Sequence, residues 1–469
     1  MGTPKFNKYP PTYAALIFER FWLLPTFSIM KNISELKGYN NLKNSGQALI
    51  IDFISNLFNC QVTLQQLPIK QFEKHFNIDI TTNINRNCYS IDETTRIFKI
   101  KVYNEHQVLA IMPVLLTGTN VHSIANRYLE DLAVTLSKQM TTCYNNSFHG
   151  GTFLFGEQLE KLVIGTCICA KKYDYTRIIH LIGLLERLSV TTFEGNSFST
   201  GFILSRSLYE YRGKKRNGEL FPLSNKRDIV RVPSIDKRFW YIMDGKDSFY
   251  IMDQNLIISN VYIRNHSDES WEEYFNSHLM AGTLLGDDIA FRTNGPNEIS
   301  IVNSVGLEFI KIENKWRLRD YQSLDTYLEH ALKLDEKTRK AIIYYVVMCS
   351  KNHKSSIIWI PENTDAAEID SLVGTKNNLF KERINITEQN HSGIIYRILS
   401  SDGVTIIDKS GNVIYCGGIV KLDIKKSGGL IGTGETAAKT LSINGLAIKI
   451  SQDGNIKIFS DPECAPLIY

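Results

Sequence analysis

Ser401-Asp402-Gly403-Val404-Thr405-Ile406-Ile407-Asp408 sets a carboxylate and a glycine at the head of a short apolar run that ends on a second carboxylate. A run of this length between turn-forming residues reads as a buried strand. Upstream, Asp335 stands where it can cap a helix over Glu336–Ser350, and the chain continues into the strand pattern Ser355-Ser356-Ile357-Ile358-Trp359-Ile360. Downstream, Val413–Ile419 folds back on Val404–Ile407 through the turn Ser410-Gly411-Asn412, and Leu446–Ser451 offers a further strand. Strands interleaved with helices predict an α/β (α+β) fold with a mixed sheet flanked by helices.

A similar succession lies earlier in the chain. Asp247-Ser248-Phe249-Tyr250-Ile251-Met252-Asp253 repeats the carboxylate-bounded strand, and a helix over Ser123–Cys143 runs into His149-Gly150-Gly151-Thr152-Phe153-Leu154-Phe155. We read this as a diverged internal duplication. The two motifs stand 98 residues apart in the first copy (149 to 247) and 48 in the second (354 to 402), so the first copy is expected to hold an insertion. Between the copies, Glu298–Ile312 and Trp316–Leu318 read as strands turned at Asn314-Lys315. Ahead of both, Tyr13–Phe27 and Gly46–Leu57 read as buried helices, and Ile97–Tyr103 with Gln107–Leu116 as a hairpin. The expected division is an N-terminal α+β region over 1–120, a first module with an insertion over 121–325, and a second module over 326–469.

Two segments of the second module carry chemistry. Gly428-Gly429-Leu430-Ile431-Gly432-Thr433-Gly434-Glu435-Thr436 leads into a helix pattern, and glycines at a loop-to-helix junction let backbone N–H groups approach an anion. The loop has neither the lysine of a P-loop nor a strand directly before it, and a plain tight turn is the alternative. Asp402-Gly403 can hold a divalent cation or orient a hydroxyl at a strand edge, or can simply form a hairpin corner.

Taken in order, Asp402-Gly403-Val404, Gly432-Thr433-Gly434-Glu435-Thr436 and Ile450-Ser451-Gln452-Asp453-Gly454 resemble the diadenylate cyclase (DAC) domain, over Asp335 to Ser460. With the Tyr9-Pro10-Pro11-Thr12-Tyr13-Ala14 start, the chain resembles the probable sensor branch of that superfamily, DACNV. The resemblance implies a nucleotide site at Asp402, Gly403, Val404, Gly432, Thr433, Gly434, Glu435, Thr436 and Ser451, with Asp402 catalytic and holding Mg²⁺ or Mn²⁺ if the domain is active. The family's second motif is Gly-Thr-Arg-His-Arg, and here Gly434, Glu435 and Thr436 replace its three cationic positions. Losing two charge-assisted contacts removes about 3–6 kcal/mol of hold on a triphosphate, and Glu435 is expected to add repulsion. The implied function is therefore a nucleotide sensor in a prokaryotic antiviral or nucleotide-signalling system, with an effector protein as partner and a homodimer as its arrangement. The other function implied is a metal-dependent nucleotidyltransferase making a cyclic or linear diadenylate from ATP.

Residues 206–238 hold ten Lys or Arg against four acids, with aromatic residues interleaved. Lys214, Lys215 and Arg216 are candidate phosphate contacts that another half could present to the cation-poor site, and a solvated loop is the alternative. His149 is the one candidate histidine contact.

Composition narrows the remainder. A net charge of +4 on 469 residues is too mild for a nucleic-acid coat, and 43% hydrophobic with 22% charged residues excludes wholesale disorder. The eight cysteines show no C-x-x-C pair, so zinc is not expected; Cys167 and Cys169 are expected on one face of a strand over Leu162–Ala170. No apolar stretch reaches a membrane-spanning length, and Met1 to Pro11 lacks a signal pattern, so no membrane partner and a reducing cytoplasm are expected.

Overall fold

The computed structural model describes residues 31–32 and 46–469 apart from short stretches, the longest being 148–156, 207–217, 265–283 and 423–431. The chain is a mixed α and β protein. Tyr13–Phe27, His149–Phe155, Lys214, Lys215, Arg216 and Gly428–Ile431 lie outside the described residues.

The leading sheet comprises β1 (Lys31–Asn32), β2 (Gln61–Leu64), β3 (Cys88–Ser90), β4 (Thr95–Asn104) and β5 (Gln107–Thr117). β4 and β5 form the expected hairpin, with Thr95 opposite Thr117. Helices α1 (Gly46–Phe58) and α2 (Ile69–Phe76) belong to this part, and α3 (Asn126–Ser147) packs along β4. One contiguous apolar core then runs from Ile50 through Leu132 and Phe202 to Trp316, so packing continues across the boundary expected near residue 120.

Helix α4 (Glu157–Cys169) overturns the strand expected over Leu162–Ala170. Its buried apolar side chains are Leu159, Val163, Ile164 and Ile168, a helical spacing that the alternation of Cys167 and Cys169 conceals. Helix α5 (Tyr175–Ser189) follows, capped by Asp174, which accepts from the Thr176 amide. The short hairpin β6 (Thr192–Phe193) and β7 (Asn196–Ser197) leads to β8 (Ser199–Leu204), β9 (Gly218–Asp228), α6 (Lys237–Tyr241), β10 (Ser248–Met252), β11 (Ile257–Arg264), β12 (Ile289–Asn294), β13 (Ile299–Asn303), β14 (Leu307–Ile312) and β15 (Lys315–Asp320). These form an eight-stranded sheet in the order β15-β14-β13-β12-β8-β10-β11-β9. Glu298–Ile312 is thus two strands, because Asn303 turns the chain and accepts the Leu307 amide at 3.0 Å. Asn314, at φ 64°, makes the expected next turn.

The last part contains α7 (Tyr321–Leu332), α8 (Glu336–Lys351), β16 (Ser356–Pro361), α9 (Ala366–Leu372), α10 (Ser392–Leu399), β17 (Val404–Ile407), β18 (Val413–Gly418), α11 (Thr433–Leu441), β19 (Gly445–Ile450), β20 (Ile456–Phe459) and β21 (Leu467–Ile468). Asp335 caps α8 as expected, accepting from the Thr338 amide. The sheet order is β18-β17-β16-β19-β20-β21.

This order reproduces β11-β10-β8-β12-β13-β14 strand for strand, with one parallel pair in each: β10 on β8, and β17 on β16. The turns after β10 and β17 also match. Asp253 and Asp408 each accept the amides two and four residues on, at 2.8 and 3.0 Å in the first and 2.9 and 2.9 Å in the second. The helix corresponding to α8 is therefore α5, not the expected Ser123–Cys143 helix. Measured from the capping residues, the spacings become 73 residues (174 to 247) and 67 (335 to 402), so no large insertion separates the motifs in the first copy. The two sheets fill that interval differently, with β9 and α6 in one and α9 and α10 in the other.

A buried polar cluster joins the two sheets. Lys351 of α8 pairs with Glu308 of β14 at 2.9 Å, and Ser300 and Tyr321 donate to the same carboxylate. Arg319 of β15 donates from Nη2 to Ser350 Oγ at 2.9 Å and to the Gly454 carbonyl at 2.8 Å. Burial alone would push the Glu308 carboxyl up, but the Lys351 and Arg319 charges and the two hydroxyls outweigh it and hold the carboxyl down, at about 2.

Candidate functional site: a cleft at one end of the last sheet

The starts of β16 and β17, the end of β18, the end of β19 and the first turn of α11 enclose a cleft of about 1060 Å³. Asp402, Gly403, Val404, Gly432, Thr433, Gly434, Glu435 and Ser451 all line it. Thr436 does not. It lies 1% exposed on the inner face of α11, its amide closing the first turn onto the Gly432 carbonyl and its carbonyl accepting from Thr440 Oγ1. Helical periodicity turns it away from the side that Thr433 and Ala437 present.

Glycine is required where Asp402 enters the sheet. Gly403 has φ +86°, and a Cβ there would stand 2.7 Å from the Gly418 carbonyl oxygen, so β17 and β18 meet backbone to backbone. The Asp402 carboxylate accepts the Gly403 amide at 2.9 Å and is exposed beside the cleft. α11 is preceded by Gly432 at its N-cap, with no side-chain cap among the described residues. The first N–H groups of a helix have no partner within it and carry the positive end of its dipole, so Thr433, Gly434 and Glu435 present donors at the cleft wall.

Three features were not legible in the motif. Glu435 is paired with Lys457 at 2.6 Å, so its charge is balanced, and the expected repulsion is largely cancelled. Lys449 of β19 lines the cleft, 9% exposed, donating from Nζ to Ser355 Oγ at 2.5 Å and to the Ile450 carbonyl at 2.8 Å. Burial lowers its pKa, while Asp453 and Asp402 act to raise it. Its signal in the sequence was a lysine inside Leu446-Ala447-Ile448-Lys449-Ile450, a strand buried at every position. Gly417 and Gly418, the third feature, supply the close approach described above.

Among the described residues no three His, Cys, Asp or Glu side chains gather as a cation cage. Asp402 and Glu435 are the carboxylates among the residues lining the cleft, and Glu435 is engaged by Lys457. A Mg²⁺ or Mn²⁺ ion held by Asp402 would need a ligand's own phosphates or water for most of its oxygen donors.

Within the basic stretch, β9 is the sheet edge opposite β15, Lys237 and Arg238 begin α6, and Arg227 of β9 pairs with Asp236 at 2.8 Å while lying over the Phe239 ring. β15 is the strand that touches the last sheet through Arg319, so seven interstrand steps, roughly 30 Å, separate β9 from that junction. A separate hollow of about 560 Å³ between α4, α5 and β14 holds Lys161 and Lys311, both paired with Glu186.

In the first copy the strand register places Arg292 where Lys449 stands in the second: Arg292 is opposite Gly201 on β8, and Lys449 is opposite Ile357 on β16. Arg292 is half-buried, and the charges of Glu298, Glu308, Asp244 and Asp247 act to raise its pKa while burial lowers it. Gly245 rests on β8 so closely that a Cβ on Gly201 would lie 2.6 Å from its Cα. Asp244 Oδ1 accepts the amides of Lys246, Asp247 and Ser248 at 2.8, 2.9 and 2.9 Å.

No protein-family model matches the chain, and no curated protein matches it. Among solved structures it is similar to a hypothetical membrane spanning protein from Bacillus cereus, at 17% identity and TM-score 0.24, over 31% of this chain and 70% of that one. A likeness that weak bears on neither fold nor function. No helix among the described residues is long and apolar enough to cross a membrane.

Proposed function

We propose that the cleft binds a nucleotide by its phosphate and that the protein is a sensor or regulator that passes this binding on to an effector protein. One observation carries the reading. Residues from the head of β17 and from the uncapped start of α11, about 30 positions apart in sequence, line one cavity beside a buried lysine. Backbone donors at a helix start, a cation and a cavity of this volume suit a phosphate with an attached base. The resemblance to the DAC sensor branch supports a place in prokaryotic nucleotide signalling or antiviral defence, with a homodimer as the assembly.

The test is a melting-temperature screen against ATP, linear diadenylates and cyclic dinucleotides, with mass spectrometry of small molecules that co-purify. A ligand at a hundred times its dissociation constant adds about 2.7 kcal/mol, so a bound nucleotide raises the melting point measurably. If no nucleotide shifts it, the reading fails. Exposed Asp402 favours one other reading, a metal-dependent nucleotidyltransferase. An Asp402-dependent product from labelled ATP with Mg²⁺ or Mn²⁺ would establish that activity in place of pure sensing.

A further inference from the structure

We propose that Lys449 is the phosphate-binding cation of the cleft, carried on strand β19 in place of a side chain at position 434, and that it selects singly charged phosphodiesters over triphosphates. This deepens the nucleotide-binding reading and rests on it. The first support is steric. A Cβ on Gly434 would lie 2.7 Å from Lys449 Cε and 3.2 Å from its Nζ, so the lysine side chain runs through the space that any side chain at 434 would need. A side chain at 434 and this lysine in its present position therefore compete for one space, and the end of the lysine would have to shift to admit the other.

The second support is the cost of the lysine's position. Lys449 is 9% exposed in the middle of a strand buried throughout, and its ammonium contacts two neutral oxygens and no carboxylate among the described residues. Asp453 and Asp402 favour its charge without touching it, and a buried charge with no carboxylate in contact gains from an anion that enters the cleft. Ser355 then acts as a placeholder whose hydroxyl the phosphate displaces. The third support is charge balance. One ammonium and a helix start worth about half a charge offset a single phosphodiester. They do not offset a triphosphate beside Asp402.

Calorimetric titration of the full chain with cyclic diadenylate and with metal-free ATP tests this. We expect wild type to bind the diester more tightly than ATP, and Lys449→Met to weaken diester binding by about tenfold to a hundredfold while melting normally. The exchanged double variant, Gly434→Arg with Lys449→Ala, returns the cation to the helix and is expected to recover most of the loss. Diester binding that is unchanged in Lys449→Met overturns the inference and leaves the cleft reading standing. Tighter binding of metal-free ATP than of diester overturns the selectivity. Wild type that binds neither probe overturns the nucleotide reading and this inference with it.

Discussion

The two sheets share one strand order, yet among the described residues a loop folds onto the strand end of the first where a cleft lies at that of the second. In the first, the loop before β10 folds onto β8, and three of its amides are taken by the carboxylate of Asp244, a residue of that same loop. Burial pushes the Asp244 carboxyl up, but those amides outweigh it and hold its pKa below the usual range. In the second, the corresponding loop presents Asp402 outward, and the donors at the head of α11 face a cavity. The first sheet carries its own anion, whereas the second leaves room for one. Arg292 and Lys449 differ in degree, the charges of four carboxylates acting on the first and those of Asp453 and Asp402 on the second, whose hydrogen bonds go to neutral oxygens. The same strand end is thus packed by its own loop in one copy and lines a cleft in the other.

The largest expected effect tests whether the two sheets depend on each other. Glu308→Gln or Lys351→Met leaves a buried charge without its partner, and either is expected to cost about 3–5 kcal/mol in urea unfolding. Because the Glu308 carboxyl is held at about 2 in the folded chain, its contribution is fully present above the unfolded carboxylate range, near pH 4.5. That contribution, on the order of 3 kcal/mol, fades as pH falls from there toward 2, and the Glu308→Gln chain should show a flatter acid dependence. Equal acid dependence in both chains would break the account of the junction.

A smaller effect sharpens the contrast between the two loops. Asp244→Ala leaves three amides without their acceptor and is expected to cost about 1–3 kcal/mol, part of it recovered by added phosphate ion. Asp402→Ala is expected to change stability by less than about 0.5 kcal/mol, since that carboxylate faces solvent. Similar losses from the two variants would erase the distinction between a filled end and an open one. The smallest pair concerns glycines. Gly201→Ala meets Gly245 at 2.6 Å and should destabilise by about 1–3 kcal/mol, whereas Gly432→Ala meets nothing within 4 Å and should be near neutral in thermal melts.

The sequence disclosed elements whose signals are local. Asp335 at the head of α8, the β4–β5 hairpin and the carboxylate-bounded β17 were readable from caps, turns and runs. The duplication was readable from Asp247–Asp253 and Asp402–Asp408, but its register was not, because a helix followed by glycines near 149 imitated the true α5–β8 pair. α4 reads as a strand in the sequence because two cysteines alternate inside its helical pattern. Eight of the nine proposed site positions line one cavity, yet Lys449 escaped notice. Its place in the cleft depends on a strand pairing between β16 and β19, some 90 residues apart, which no local pattern announces.

Arg319 grips Gly454, in the turn that follows directly on the cleft residues Ser451 and Gln452, and Lys351 of α8 needs Glu308 from the other sheet. The last third of the chain is therefore no detachable cassette. Cut away near residue 326, it would carry an uncompensated ammonium at its severed seam and a turn without its guanidinium anchor, so the pocket wall would loosen along with the cut surface.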